Sequence, residues 1–172
     1  QSRSSAASDV YKRQNYYSVD KAKNSNLKHR PVGLGVMGFQ DALYKLRIPY
    51  ASNQAVDFAD KSMECISYYA IEASMNLAKE RGSYESFDGS LWSKGILPID
   101  SLKSFKKVRG KFLDVNMDEQ LDWSSLRQNV VKHGIRNSNT LAIAPTATIS
   151  NICGVSQSIE PTYQNLYVKS NL

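Results

Sequence analysis

The strongest pattern in the chain lies between Ser52 and Gly82. Val56, Ala59, Met63, Ile66, Ala70, Ala73 and Leu77 recur at steps of 3, 4, 3, 4, 3 and 4. That spacing puts them on one face of an α-helix, with Asp57, Asp60, Lys61, Glu64 and Glu72 largely elsewhere. Ser52 or Asn53 supplies the N-cap, and Gly82 supplies the stop after Arg81. The apolar stripe predicts core packing, and Cys65 beside it predicts a buried or half-buried, inert thiol.

Shorter patterns flank this helix. Residues 36–46 read as a helix ended by the Ile48-Pro49 pair. Tyr84, Phe87, Leu91 and Trp92 suggest a short helix before a turn at Gly95 and Pro98. Asp122 is placed to cap a helix with Trp123, Leu126 and Val130 on one side and Gly134 at its end. His133 falls near that C-terminus, where the helix dipole favours a cation; a catalytic role is the alternative. The polar stretch 15–30 reads as a surface connection, and the basic cluster over 103–111 as a solvated loop. Residues 1–14 are Ser/Ala-rich and aperiodic, as expected of a disordered or foreign tail. The chain starts at Gln1 and stops at Leu172 inside a patterned segment, so an internal piece of a longer protein is expected.

Chemistry concentrates near the end. Leu141, Ala142, Ile143 and Ala144 read as a short buried strand that Pro145 terminates. Thr146, Thr148 and Ser150 then alternate with Ala147 and Ile149, and the apolar pattern resumes as a helix starts. A strand, a hydroxyl-rich turn and a helix N-terminus can bind an anion, because the first helical N–H groups lack intrahelical partners. A Ser/Thr-capped helix with no ligand fits the same residues.

Gly33, Gly35 and Gly38 form a Gly-x-Gly-x-x-Gly pattern. A dinucleotide site would require a hydrophobic strand before it, yet Lys28, His29, Arg30 and Pro31 stand there. The following acidic residues, Asp57 and Asp60, fall inside the long helix. Glycines for close packing of helices are the competing reading.

The formal charge of +6 is unevenly placed. Residues 1–30 hold seven Lys/Arg and two Asp/Glu, a net of +5, and the other 142 hold 15 and 14, a net of +1. No basic stripe crosses the body, which disfavours a nucleic-acid partner. Cys65 and Cys153 form no Cys-x-x-Cys pair, so neither a metal site nor a disulfide framework is expected. Free thiols and the lack of a long apolar run point to a cytoplasmic protein with no membrane partner.

The order of motifs is more specific than any one of them. Ala-Pro-Thr-Ala-Thr-Ile-Ser-Asn-Ile at 144–152, a six-residue spacer and Ile159-Glu160-Pro161 resemble the phosphate-binding segment of the ribonucleotide reductase large (alpha) subunit family. Lys132-His133-Gly134-Ile135-Arg136-Asn137-Ser138 is similar to its His-Gly-x-Arg-Asn-Ser lead-in. The segments at 30–39, 77–82 and 94–100 resemble further family blocks, in the family's order and covering roughly residues 15–172.

This resemblance implies an α/β fold, an incomplete part of a ten-stranded α/β barrel that is helix-rich here. It implies reduction of ribonucleotides to deoxyribonucleotides by a thiyl-radical mechanism, with Pro145, Thr146, Ala147, Thr148 and Ile149 holding the substrate's phosphates. Ser150 would help cap the helix, and Glu160 and Pro161 carry no chemistry. The family's Asn-x-Cys-x-Glu motif is absent from this sequence, so no catalytic residue is expected in it, and Cys153 is expected to pack on a short helix. A class I enzyme is implied, with no cofactor bound by this piece. The radical would come from a metal-containing beta subunit, and ATP or dNTP effectors would bind elsewhere. Expected partners are a ribonucleoside diphosphate, the beta subunit, a second alpha subunit, and thioredoxin or glutaredoxin as reductant. A nicotinamide-dependent dehydrogenase built on 33–38, or a non-catalytic helical module built on 53–81, are the alternatives from other classes.

Overall fold

A computed structural model describes residues 10–11, 14–110 and 116–164. Most of the expected tail at 1–14 and the end of the basic cluster at Lys111 lie outside the described residues. Among the described residues the principal helices are α1 (Asp20–His29), α2 (Phe39–Leu46), α3 (Asn53–Arg81), α4 (Ser101–Arg109), α5 (Trp123–His133) and α6 (Ala147–Cys153), with a 3₁₀ turn at Pro98–Asp100. The chain divides into two compact units, Gln1–Gly33 with Asp60–Leu141, and Leu34–Ala59 with Ala142–Leu172.

The first unit has an apolar core. Ile71 and Met75 from α3, Trp123, Leu126 and Val130 from α5, and Tyr84, Leu97 and Ile135 from the connections form one buried cluster. Tyr68 meets Trp123 edge-on at 5.3 Å, and Tyr84 meets Phe87 likewise at 5.8 Å. Full burial of one such aliphatic side chain contributes about 1.5–3 kcal/mol. The α5 helix follows its sequence closely. Asp122 Oδ1 accepts from the Ser125 N–H at 3.0 Å, and the Gly134 N–H closes the helix on the Val130 carbonyl.

A buried polar pin joins α3 to the segment after α5. Ser74 Oγ donates to Asn137 Oδ1 at 2.7 Å and accepts from the Asn137 N–H at 3.0 Å. Asn137 Nδ2 donates to the Arg30 carbonyl at 3.0 Å. Each group is satisfied, as buried polar atoms must be.

Several expectations change here. The α3 helix has its predicted bounds, and Ser52 Oγ accepts from the Ala55 N–H at 3.2 Å. Its buried face differs in part: Ala70, Ala73 and Leu77 are buried, but so are Ile71, Ser74, Met75 and Ala78, while Val56 is 65% exposed. Apolar spacing predicts the helix, but the neighbours decide which turns are covered. Cys65 is exposed, not buried. The stretch 15–30 contains helix α1, whose Asp20 start and Lys28-His29 end suit the dipole. The basic cluster forms helix α4 instead of a loop, started after the Pro98–Asp100 turn. Tyr84 to Trp92 make consecutive turns and no helix.

In the second unit α2 begins at Phe39, not residue 36, because Gly38 sits at φ +79°, outside the right-handed helical region. Leu43 is fully buried and Gln40 nearly so. Phe39 packs between Tyr50 and Phe58, at ring distances of 6.1 and 5.8 Å. The expected strand at 141–144 does not form. Among the described residues only Leu34 and Leu141 have isolated bridge character, and Ile143 is 48% exposed. A strand needs a ladder of paired groups. The pairing within this unit is the Ala142 N–H on the Leu34 carbonyl at 3.1 Å.

Candidate functional site

The turn at 145–150 is built by a backbone reversal at Thr146, whose φ of 52° and ψ of 27° are left-handed. A β-branched residue rarely adopts that conformation, so surrounding contacts must hold it. Thr146 Oγ1 accepts the Ser158 N–H at 2.8 Å, and the Thr146 carbonyl accepts the Ser150 N–H at 3.0 Å. Helix α6 starts at Ala147 and is capped after Cys153 by Gly154, which is also left-handed.

The five predicted phosphate ligands therefore share one turn at the start of α6. Pro145, Ala147, Thr148 and Ile149 are exposed, and Thr146 is half-buried. The first N–H groups of a helix have no partner four residues back, so this turn can offer donors to an anion. Thr148 adds a hydroxyl on the exposed surface. Thr146 Oγ1 accepts the Ser158 N–H, which leaves its O–H as a donor. Ser150 does not cap the helix either: it is fully buried, and its hydroxyl donates to the Ala147 carbonyl at 3.3 Å. Cys153 is exposed and not packed.

The six-residue spacer at 153–158 has a defined role that its sequence did not signal. The Val155 N–H returns to the Ser150 carbonyl at 3.0 Å. The Ser156 N–H donates to Asp41 Oδ2 at 2.5 Å, and the Ser156 carbonyl accepts from Gly38 at 2.9 Å. The Phe39 N–H reaches the Ser158 carbonyl at 3.4 Å, and Tyr50 Oη donates to the Ile159 carbonyl at 2.8 Å. The Tyr44 and Thr162 hydroxyls also bond. Asp41 and Ser156 are 115 residues apart, and no local pattern links them.

The Gly-x-Gly-x-x-Gly pattern acquires a structural reason in the same unit. A Cβ on Gly35 would stand 2.6 Å from the Ala142 carbonyl oxygen, and one on Gly38 would stand 3.3 Å from Val155 Cβ. Gly35 thus allows close approach of extended backbone, rather than the packing of helices expected, and Gly38 allows the turn before α2. Asp57 and Asp60 are exposed on α3.

Two features of the first unit also hold charge. Glu64 Oε1 accepts from the Gln120 N–H at 2.7 Å, the Leu121 N–H at 3.2 Å and Trp123 Nε1 at 2.9 Å. Burial raises the Glu64 pKa, but these donors outweigh it and leave the carboxyl below its ordinary value. Glu64 borders a cavity of about 170 Å³ with Asp60, Met63, Leu102, Met117 and Trp123. Its carboxylate is committed to the loop before α5, which makes it a structural tie. His133 is pushed below its ordinary pKa by desolvation first, and then by the neighbouring Lys79 and Lys132 cations. Among the described residues no group of three His, Cys, Asp or Glu side chains could hold a metal ion, and no helix is long and apolar enough to cross a membrane.

The family model "Ribonucleotide reductase, barrel domain" matches residues 6–172. Over 159 residues the chain is 58% identical to a ribonucleoside-diphosphate reductase subunit alpha of Chlamydia muridarum, covering 92% of this chain and 15% of that protein. It is 43% identical over 159 residues to a subunit alpha of Helicobacter pylori, covering 92% of this chain and 20% of that one. It is 42% identical over 153 residues to a large subunit of Caenorhabditis elegans, covering 89% of this chain and 18% of that one. The chain belongs to the ribonucleotide reductase barrel-domain family. It spans between about a seventh and a fifth of the length of these curated relatives.

Proposed function

We propose that this chain is the part of a ribonucleoside-diphosphate reductase alpha subunit that holds the substrate's phosphates. The carrying observation is the turn at 145–149, where a left-handed Thr146 opens a helix beneath the exposed Thr148. High identity to reductase alpha subunits supports the choice of ligand. In this reading the N–H groups of the first turn and the Thr148 hydroxyl bind a diphosphate. They anchor the non-reacting end of the nucleotide and so fix where its ribose meets the radical.

The rest of the reading concerns the intact enzyme. The segment would be one part of a ten-stranded α/β barrel, with exposed Ile143 and its neighbours completing their pairing there. A class I enzyme would take its radical from a metal-bearing beta subunit, dimerise through alpha, and be re-reduced by thioredoxin or glutaredoxin. ATP and dNTP effectors are assigned outside this segment, as is the hydrogen-abstracting cysteine. The close approach of Gly35 to the Ala142 carbonyl and the bond from the Gly38 N–H to Ser156 occupy these glycines with protein backbone and leave the dehydrogenase reading without support.

Replacing Thr148 in the intact alpha subunit tests the proposal. Thr148→Val should raise the KM for a ribonucleoside diphosphate about tenfold, the size expected for one lost hydrogen bond to a charged group. The maximal rate should stay within about twofold. An unchanged KM would remove the phosphate assignment.

A further inference from the structure

We infer that the segment 154–162 is a strap that sets the conformation of the phosphate turn, with Asp41 as its principal positioning residue. This rests on the phosphate-binding reading of 145–149. The first observation is the left-handed Thr146, which needs an external restraint to persist. Its restraint is the Ser158 N–H on Thr146 Oγ1, and Ser158 is itself buried and left-handed at φ 43°. Two unfavourable backbone conformations are thus joined through one 2.8 Å hydrogen bond.

The second observation is how the strap is held. Asp41 lies in the first turn of α2 and receives the Ser156 N–H, two residues before Ser158. The Gly38 and Phe39 N–H groups bond the carbonyls of Ser156 and Ser158, and Tyr50 bonds that of Ile159. Ser156 Oγ is buried without a partner among the described residues, so main-chain bonds set the register of the strap. Asp41 supplies a side-chain acceptor for the strap, as Thr146 Oγ1 does for Ser158. A carboxylate would repel a phosphate, so its place beside the strap fits holding the backbone and not touching substrate. A charge-assisted hydrogen bond of this kind is among the stronger restraints a side chain can offer.

The test uses the intact alpha subunit, assayed for the KM of a ribonucleoside diphosphate, the maximal rate, and competitive inhibition by inorganic pyrophosphate. Asp41→Ala should raise the KM and weaken pyrophosphate inhibition about tenfold together, with the maximal rate changed less than about twofold. Asp41→Asn keeps an acceptor oxygen and should restore most of the loss. Tyr50→Phe keeps its ring against Phe39 and should show a smaller shift in the same direction, which secures the test if Asp41→Ala fails to fold. If Thr148→Val raises the KM while Asp41→Ala and Tyr50→Phe do not, the strap is overturned and the phosphate turn stands. If none of the three moves the KM, both readings fall. Tighter pyrophosphate binding by Asp41→Ala and Asp41→Asn alike would show simple charge repulsion and overturn the positioning role. A fall in rate and affinity together, unrescued by Asn, would mark Asp41 as merely structural and overturn it equally.

Discussion

The two units of this chain are held by different physics. In the first, Ile71, Leu97, Leu126, Val130 and Ile135 are almost wholly removed from solvent, and apolar burial fixes the arrangement of α3 and α5. In the second, Ile143, Ile149, Ile152 and Ile159 are all more than 40% exposed; the turn at 145–150 is bonded by Ser158, and the segment around Ser158 is bonded in turn to the distant Gly38, Asp41 and Tyr50. The contrast teaches where each kind of order is useful. Burial makes a scaffold tolerant of detail, whereas a turn that must present donors to a ligand depends on individual bonds.

The contrast is broken most directly in the scaffold. Ile71→Ala removes a fully buried side chain and should cost about 2–5 kcal/mol of stability in denaturant titration, the largest effect of the set. A cost below about 1 kcal/mol would show that the cluster is not tightly packed. Next comes the polar pin: Asn137→Ala removes the acceptor of the buried Ser74 hydroxyl and the Nδ2 donor to the Arg30 carbonyl, at a cost of about 1–3 kcal/mol in the same titration.

Acid provides a milder probe of the first unit. Burial raises the pKa of Asp100, but the Leu97 N–H and the Arg127 guanidinium prevail and hold it below its ordinary 3.8. Arg127 Nη2 reaches both Asp100 oxygens, at 2.9 and 3.0 Å. Glu64 is likewise held below its ordinary 4.5. A depressed folded-state pKa contributes stability that is present above the unfolded value and is lost as pH falls through the folded one. Both contributions should therefore be complete at neutral pH and fade from about pH 4.5 downward. Arg127→Met should flatten the part of that acid dependence below about pH 4, measured as stability against pH. An unaltered slope would remove Asp100 from the account. The smallest effect belongs to the surface: Cys65→Ser should shift stability by no more than about 0.5 kcal/mol, because the thiol is exposed.

The same contrast explains what the sequence could disclose. The bounds of α3, the Asp122 cap and the apolar side of α5 were legible because caps and 3.6-residue periodicity act locally. The phosphate turn was legible as a run of residues, since its five candidate ligands are contiguous. Its restraints were not. Nothing near Asp41 marks it as the partner of Ser156, and nothing in Thr146 marks its hydroxyl as the acceptor for the Ser158 N–H. The strand at 141–144 misled for a related reason: its apolar residues call for neighbours, and sequence alone does not show which backbone supplies them. Val56 and Cys65 show the limit of periodicity, which identifies a helix but not which turns are covered.

The most direct test compares amide hydrogen exchange in the intact alpha subunit with and without a ribonucleoside diphosphate. The account predicts that the substrate slows exchange at residues 146–150 and leaves residues 71–78 of the buried core unchanged, while the corresponding ribonucleoside without phosphates does neither. Equal protection by nucleoside and diphosphate, or none at 146–150, would contradict the claim that this turn holds the phosphates.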